Sequence, residues 1–467
     1  MHIIDLSIIF IYLTICFGVA IWIGRKSTLE SFLVAGRNFN TTLLVFTMIS
    51  TMVGLSTVIA ASSATYSSGI SYTVMSTFLI LSGYILVWLF ARKIKLFGDK
   101  YKAHTIGDFL AVRYSQRARV IGGIAIIISY FTYFAGLLLG LSQIFQIFGG
   151  SGLLLSLIFA LGGVMVYTTI SGVKSDFYTD IIHFFVMITA LVIVMTPLML
   201  IKAGGVTALF TDLPAGFTNI YNFGGAVFFW FVIIFGFPVF LLFMEVWQRI
   251  YASNNEKVAR KVMIWSAILT IPFISIALII GLVARKFLPG INPDQSFFLV
   301  IKNFLPTGIL GLAIAGIIAT ILSTLNTVIM VISAIVTKDF YITLINKKAD
   351  EKKYLKVGRI ITFCVGIIGI IIAYIYPSLV DLAVAATEGL IILAPAIIGG
   401  FIWKRANEKA AFYSMLIGLI LLWGSYPFLG KMSFIPAMII SLLIFIIVSL
   451  KKEKGSKNVV LKTNPKA

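Results

Sequence analysis

The chain has 467 residues, of which 60% are hydrophobic and only 12% are charged, and its mean hydropathy is +1.05. A soluble protein of this length would carry about 25% charged residues, so the composition excludes an ordinary soluble fold and indicates a protein that lies in a lipid bilayer. A net charge of +20 would suggest nucleic-acid binding in a soluble domain, but in this composition we interpret it as a signal of membrane topology, and we expect no nucleic-acid partner.

Long apolar segments follow one another along the whole chain, and each is long enough to cross the hydrocarbon core as a helix. They lack the strict alternation of a membrane β-strand. We therefore predict an all-α membrane protein with about 13 transmembrane helices. The predicted spans are 6–24, 40–67, 70–91, 119–147, 152–171, 177–201, 222–245, 260–284, 305–337, 356–376, 380–403, 409–428 and 432–450.

Lys and Arg are distributed very unevenly over the connections between these spans. With the N-terminus outside, 32 of the 37 basic residues fall in the odd-numbered connections and the C-terminal tail. The other five are Lys202, Arg285, Lys286, Lys302 and Lys431. Because cytoplasmic loops carry an excess of Lys and Arg, the sequence predicts a multi-pass protein of the cell membrane with an external N-terminus and a cytoplasmic C-terminus.

The connections between the spans are short, and the sequence shows no signalling domain. We predict one transmembrane domain over residues 1–450, followed by a basic cytoplasmic tail, 451–467. The lipid bilayer is an expected partner, and no obligatory protein partner is evident.

Two predicted spans are interrupted near their middles. Ser50 and Gly54 lie at the centre of the second span, and Pro238, which breaks a helix, lies in the seventh. The second span opens a group of five, about 40–201, and the seventh opens the next five, about 222–403. Matching broken helices are typical of inverted-repeat transporters, although Gly and Pro are common in all membrane helices. We predict a 5+5 inverted-repeat core with one extra N-terminal and two extra C-terminal helices.

The ninth span carries a row of hydroxyl residues on one helical face, at i, i+3, i+4 and i+7. They are Thr320, Ser323, Thr324 and Thr327. Hydroxyl oxygens suit a hard cation such as sodium, and the free carbonyls of an unwound helix would complete its shell. Ser50 and Val53 of the second span are the natural candidates. Alternatively, such hydroxyls bond carbonyls of their own helix or pack helices together.

Ionisable side chains inside the spans are few, and burying them there is costly. Asp180 could complete a second cation site, and Glu388 could bind a cationic group of a solute or a proton, but structural roles remain open for both. We expect His183 to be a satisfied structural histidine. We expect Glu245 to be an interfacial charge that pairs with Arg249, one turn away.

The sequence contains no enzymatic signature. A phosphate-binding loop, a metal-binding histidine cluster and a nucleophile elbow are all missing, and Cys16 and Cys364 lie in apolar spans as small core residues. We therefore predict a protein that is not an enzyme, with no catalytic residues and no metal other than sodium.

Five stretches, in order along the chain, resemble motifs of the sodium:solute symporter family, and the resemblance extends over roughly 6–445. The stretches are 25–38 with its Ala35-Gly36-Arg37, Ser171-Gly172 followed by Thr179-Asp180, Trp247-Gln248-Arg249, Leu322-Ser323-Thr324-Leu325 running to Thr337-Lys338-Asp339-Phe340-Tyr341, and 401–407.

The resemblance implies the leucine-transporter-type fold with one additional first helix, and sodium as the coupling ion. The family's sodium site, transferred by position, consists of Ser50, Val53, Thr320, Ser323 and Thr324. Some members bind a second cation near the aspartate of the Thr-Asp motif, which here implies a possible site of Asp180 with Asn326 or Thr327.

The solute site departs from the sugar and proline transporters of that family, which place polar residues on the corresponding helices. Here those positions are Met52, Thr57, Phe240 and Phe243, and Glu388 is a further pocket candidate. We expect an apolar pocket and a solute with a small anionic or zwitterionic head group, which the positive end of a half-helix would attract.

Together these observations predict a secondary active transporter that couples sodium to a small organic solute by alternating access. One alternative keeps the fold and replaces sodium by a proton on Asp180 or Glu388. Others are a solute sensor that does not transport, and an ion channel with uncoupled, ohmic current.

Overall fold

The computed structural model describes residues 1–24, 35–168, 173–211, 213–345 and 351–451. Part of the first family motif, 25–34, the pair Ser171-Gly172, and nearly all of the predicted tail, 452–467, lie outside the described residues.

The described residues are almost entirely helical, which confirms the predicted all-α class, and a single isolated bridge joins Phe39 to Ser253. The main helices, numbered in chain order, are α1 Ile3–Gly24, α2 Thr41–Met52, α3 Ala60–Ser68, α4 Ile70–Tyr101, α5 Ile106–Arg113, α6 Gln116–Gly149, α7 Leu153–Thr168, α8 Val173–Lys202, α9 Gly225–Gly236, α10 Val239–Leu242, α11 Met244–Ala252, α12 Glu256–Phe287, α13 Ser296–Phe304, α14 Ile309–Tyr341, α15 Glu351–Ile375, α16 Leu379–Ile402, α17 Glu408–Leu429 and α18 Phe434–Leu450.

Within the described ranges, eight helices are long and apolar enough to cross a membrane, and α2 with α3 adds a ninth if the bent pair is one span. The eight are α1, α4, α6, α8, α12, α14, α16 and α17. Large apolar side chains cover their outer surfaces, and several are more than half exposed. Examples are Phe10, Trp22, Phe78, Trp265 and Phe428. Such apolar surface exceeds what a water-soluble monomer exposes, so it faces lipid.

Both predicted interruptions are present. Helix α2 ends at Met52, and α2 and α3 meet at an angle of 62°. At Gly54, a Cβ atom would lie 2.5 Å from the Thr324 hydroxyl oxygen, so only glycine permits this close approach to α14. The second interruption extends beyond Pro238, because Phe243 has an extended backbone (φ −67°, ψ 120°) and separates α10 from α11.

Helix α14 forms the centre of the molecule. Its apolar window is completely buried, and it packs against α1, α2, α6, α8 and α11. Asp5 of α1 caps its N-terminus, since one carboxylate oxygen accepts hydrogen bonds from the Gly308 and Gly311 amides at 2.7 and 2.9 Å. A carboxylate at the start of a helix is stabilised by the free amides and by the helix dipole.

Candidate functional site

The broken end of α2 meets the hydroxyl face of α14 at a polar contact that we call the α2–α14 junction, formed by Ser50, Thr51, Ser323 and Thr324. The Ser323 hydroxyl donates to the Ser50 carbonyl at 2.5 Å, and the Thr324 hydroxyl donates to the Thr51 carbonyl at 2.9 Å. All four residues are fully buried. Hydroxyl and carbonyl oxygens from two helices therefore converge at the end of an unwound segment.

The two remaining residues of the predicted sodium site adjoin this junction in different ways. The Thr320 hydroxyl is turned back to the Ile317 carbonyl at 2.7 Å, while the Thr320 carbonyl accepts the Thr324 hydroxyl at 3.1 Å. Val53 is buried at the break, with its amide bonded to the Ile49 carbonyl. The donors at the junction are hydroxyl and carbonyl oxygens, which fit a hard cation such as sodium and offer nothing to a soft metal.

A buried ion pair lies directly beside the junction. The Arg249 guanidinium is 2.9 Å from the Asp180 carboxylate, and neither side chain is exposed. Thr51 connects the pair to α2, because it accepts a hydrogen bond from Arg249 and donates to Asp180 at 3.2 Å. Ser50 donates to the Asp180 carbonyl at 2.7 Å. The break in α2 is thus held to both α8 and α11.

The possible second cation site was predicted to consist of Asp180 with Asn326 or Thr327, and the described contacts of these last two residues involve a different carboxylate. Asn326 and Thr327 instead donate to the carboxylate of Asp176, one turn earlier on α8, and the Thr327 bond measures 2.7 Å. Asp176 and Asp180 share one face of α8 because they are four residues apart. Since α14 runs antiparallel to α8, Asp176 lies beside residues further along α14 than those beside Asp180. Asp176 was not predicted from the sequence as a site residue, although its spacing of four residues from Asp180 places both carboxylates on one helix face.

The expected Glu245–Arg249 side-chain pair is not formed. Arg249 is bound to Asp180 and contacts only the backbone carbonyl of Glu245, at 3.3 Å, while the buried Glu245 carboxylate accepts a hydrogen bond from Tyr130. Arg249 is therefore an internal charge and not a charge at the membrane surface. His183 is fully buried with its ring nitrogen 2.7 Å from the Tyr12 hydroxyl, consistent with a structural role.

A cavity of about 150 Å³ lies between the two broken helices. Met52 and Thr57 line it from the first break, Phe240 and Phe243 from the second, and Glu388 from α16. The structure therefore brings together all five residues that the sequence suggested for the solute pocket. The cavity is also lined by residues that the sequence did not suggest for the pocket, among them Tyr72, Tyr133, Phe223, Phe228, Glu245 and Phe434.

The model of the sodium:solute symporter family matches residues 32–418. The chain belongs to this family. Among its relatives, the osmoregulated proline transporter OpuE of Bacillus subtilis is 26% identical over 377 residues, covering 76% of this chain and 75% of the relative. The sodium/pantothenate symporter of Escherichia coli is 23% identical over 463 residues, covering 93% and 94%.

A solved structure of a sodium-coupled sialic acid symporter in a substrate-bound, outward-open state superposes with a TM-score of 0.81. Its sequence is 18% identical, and the match covers 96% of this chain and 98% of that one. The likeness shows the same fold. The family and its relatives are transporters and not enzymes, which supports sodium-coupled symport at a membrane for this family member.

This member of the family also has a charged cluster at the end of α14 that carries Lys338. The Asp108 carboxylate of α5 lies 2.5 Å from Lys338 and 2.6 Å from Arg119, and Thr105 caps the start of α5. Burial alone would raise the pKa of Asp108, but Lys338, the His104 amide and Arg119 together hold that pKa below its ordinary value. The cluster fastens α5 to α6 and α14.

Proposed function

We propose that this chain is a secondary active transporter of the cell membrane that couples sodium entry to the uptake of a small organic solute by alternating access. The observation that supports this most strongly is the α2–α14 junction, where buried oxygen atoms cluster at a helix break. Thr51 of the junction is followed directly by Met52, which lines the cavity.

In this proposal sodium binds among the oxygens at the break. Its ligands are the backbone oxygens of Ser50, Val53 and Thr320, and the hydroxyl oxygens of Ser323 and Thr324. In the structure, the hydroxyls of Ser323 and Thr324 donate hydrogen bonds to carbonyls of α2. When sodium binds, these hydroxyl hydrogens rotate away, and the oxygen atoms of all five residues face the cation. Binding draws α2 and α14 together and favours the state that binds solute. The membrane potential adds about 2.3 kcal/mol per charge per 100 mV.

The junction and the cavity share one short segment of chain, and this supports their coupling. Thr51 belongs to the junction, Met52 lines the cavity, and the Thr57 hydroxyl bonds the Met52 carbonyl at 2.9 Å across the break. An ion that fixes the backbone at Ser50 and Val53 therefore also fixes the cavity wall. Release of sodium to the cytoplasm loosens the break and frees the solute.

The contacts of Asp180 favour sodium at the junction over a second ion or a proton at that carboxylate. A positive guanidinium already lies against Asp180, and Asn326 and Thr327 are bound to Asp176. We therefore do not assign the second cation site to Asp180 with Asn326 and Thr327. The buried Arg249 provides the positive charge that a second ion would otherwise supply.

For the architecture we propose thirteen crossings in one domain, 1–450, with a 5+5 inverted-repeat core over about 40–201 and 222–403. The broken helices that begin at α2 and α9, together with the shorter apolar helices α7, α9, α15 and α18, support this arrangement. The distribution of Lys and Arg supports an external N-terminus and a cytoplasmic tail, 451–467. A reporter active only in the cytoplasm should work when fused after Ala467, and activity of a periplasm-only reporter there would refute the orientation.

The experiment that tests the function is uptake into proteoliposomes with an inward sodium gradient, against a panel of amines, amino acids, carboxylates, vitamins and urea. We expect accumulation of one solute class that disappears when choline replaces sodium outside. Equal uptake in the two buffers would contradict sodium coupling. Binding without uptake would indicate a sensor, and sodium current without solute accumulation would indicate a channel.

A further inference from the structure

The charged side chains that line the cavity all have the same sign. Glu245 of α11 and Glu388 of α16 both border it, and no Lys, Arg or His occurs among the described residues that do so. Both carboxylates are almost fully buried, Glu245 at 1% and Glu388 at 6% exposure. The two glutamates belong to different helices, so two separate elements each contribute one carboxylate side chain to the cavity wall.

The guanidinium of Arg249 lies beside the α2–α14 junction and does not line the cavity. Arg249 follows Glu245 by one turn, but its guanidinium is bound to Asp180 and Thr51 and lies 4.9 Å from the centre of the Phe177 ring. The Glu245 carboxylate accepts a hydrogen bond from the Tyr130 hydroxyl, which carries no charge. Carboxylates at the wall of a low-dielectric cavity attract a positively charged group of a solute.

Aromatic side chains form part of the remaining, mainly apolar wall of the cavity and suit the same kind of ligand. Phe240 and Phe243 meet edge to face at 5.8 Å, Tyr133 lies 6.4 Å from Phe243, and Tyr72 lies 5.0 Å from Phe223. Aromatic faces attract ammonium groups through their negative π-surface, and such aromatic cages recognise quaternary ammonium ligands. The cavity of about 150 Å³ is comparable to an apolar cavity that holds benzene, so it has room for a compact molecule with about one ring.

We infer that the transported solute carries a positively charged amino or quaternary ammonium group on a compact apolar body, with the cation held between Glu245 and Glu388 and the body against the aromatic walls. The inference rests on the proposed transport function and specifies its substrate class. It replaces the expectation of an anionic or zwitterionic head group, because a solute carboxylate in this cavity would meet two glutamates and no basic side chain among the described lining residues.

A set of one-ring probes that differ only in charge tests this directly. The purified full-length protein is heated in detergent with sodium chloride and with 2-phenylethylamine, phenyltrimethylammonium, 2-phenylethanol, phenylalanine or 3-phenylpropionate. We expect the two cations to raise the melting temperature in a saturable manner, and the neutral, zwitterionic and anionic probes to have little effect. Stabilisation by 3-phenylpropionate or phenylalanine equal to that by the cations, or no stabilisation by either cation, would overturn the inference.

Variants of the two glutamates distinguish their role from a structural one. Glu388→Gln and, separately, Glu245→Gln should each weaken binding of the cations about tenfold or more, since a hydrogen bond to a charged group contributes about 1.5–3 kcal/mol. Glu245→Asp keeps the charge and should retain part of the affinity if Glu245→Gln disturbs the contact with Tyr130. The matched control is Glu256→Gln, at the start of α12 and paired with the half-exposed Arg92, which should bind the probes normally.

Sodium separates failure of this inference from failure of the proposed function. If sodium stabilises the protein in the absence of any probe while only anionic or zwitterionic probes bind, the inference is wrong and sodium coupling stands. If the ammonium probes bind equally well in sodium and in potassium chloride, the substrate class stands and sodium coupling is contradicted. Unchanged cation binding in both Gln variants would overturn the assignment of the two glutamates.

Discussion

The α2–α14 junction and the neighbouring cavity lie next to each other but are built in different ways. The junction consists of small side chains and backbone oxygens from two helices, connected by short hydrogen bonds. The cavity is enclosed by side chains from at least five helices, which are mainly apolar and partly aromatic, together with two carboxylates. Helix spacing and a helix break present the oxygens of the junction, whereas the cavity depends on how many distant parts of the chain pack together.

If the junction depends on its buried ion pair, Arg249→Met should lower the stability of the protein more than any of the other variants. This change leaves Asp180 without its charge partner in the interior, and breaking a buried pair costs about 3–5 kcal/mol. We expect a large drop in the melting temperature of the purified protein and loss of uptake. The matched control, Arg260→Met, removes a guanidinium that lies 4.0 Å from the Trp88 ring and should cost much less.

A double variant tests the reason for that effect. Arg249→Met with Asp180→Leu removes both charges, and replacing a buried pair by apolar side chains is often close to neutral. We expect the double variant to recover at least half of the lost stability without recovering transport. If the double variant is no more stable than Arg249→Met, the unpaired charge is not the cause.

The close approach of the two helices can be disturbed at Gly54. In Gly54→Ala the new methyl group would lie 2.5 Å from the Thr324 hydroxyl oxygen, so α2 must move away from α14. Such overpacking costs about 1–3 kcal/mol, and we expect the sodium concentration for half-maximal uptake to rise about tenfold. Gly424→Ala, where an added Cβ meets no heavy atom within 4 Å, is the control and should leave sodium dependence unchanged.

The hydroxyls of the junction should affect sodium and not the solute. Ser323→Ala and Thr324→Ala should each raise the sodium concentration for half-maximal uptake by about tenfold, the equivalent of one hydrogen bond or ligand of about 1.4 kcal/mol. Solute affinity at saturating sodium should change little. Ser333→Ala, on the same helix with its hydroxyl 3.0 Å from the Gly358 carbonyl, should behave as the unchanged protein. If this sodium concentration rises equally in all three variants, the effect comes from a general disturbance of α14 and not from the junction hydroxyls.

The smallest change in stability should follow from a substitution in the charged cluster of Asp108, Arg119 and Lys338, which lies outside the junction and the cavity. Asp108→Asn should cost about 1 kcal/mol at neutral pH, because the lost contacts are only partly buried. Since the folded protein holds the pKa of Asp108 below its ordinary value, this stabilisation is present above the unfolded pKa of about 3.9 and is lost as the pH falls through the folded pKa. Melting curves of both proteins should therefore converge below about pH 4, and a constant difference at all pH values would contradict this cause.

The contrast between junction and cavity also explains what could be predicted from sequence. Ser323 and Thr324 were identified because helical spacing places them on one face regardless of the rest of the fold, and the breaks at Gly54 and Pro238 follow from local backbone chemistry. Apolar helices long enough to cross a membrane are predictable for the same reason, since hydropathy is a local property. The ends of α2 and α11 could be placed only approximately, because tertiary contacts determine where each helix stops.

The partners of the buried charges depend on packing between helices and could not be predicted. Arg249 was assigned to Glu245, its neighbour on the same helix, yet its guanidinium binds Asp180 of α8. Asn326 and Thr327 were assigned to Asp180, but a shift of one helical turn brings them to Asp176. Phe240 and Phe243 were predicted, but the other aromatic residues that line the cavity come from distant parts of the chain and could not be predicted for the same reason.

Equilibrium binding of radioactive sodium to the purified protein tests most directly whether the α2–α14 junction binds the ion. We expect saturable binding that choline does not displace, that is lost in the Ser323→Ala/Thr324→Ala double variant, and that remains normal in Ser333→Ala. Sodium binding of unchanged affinity in the double variant, with the protein still folded, would show that the α2–α14 junction is not the ion site.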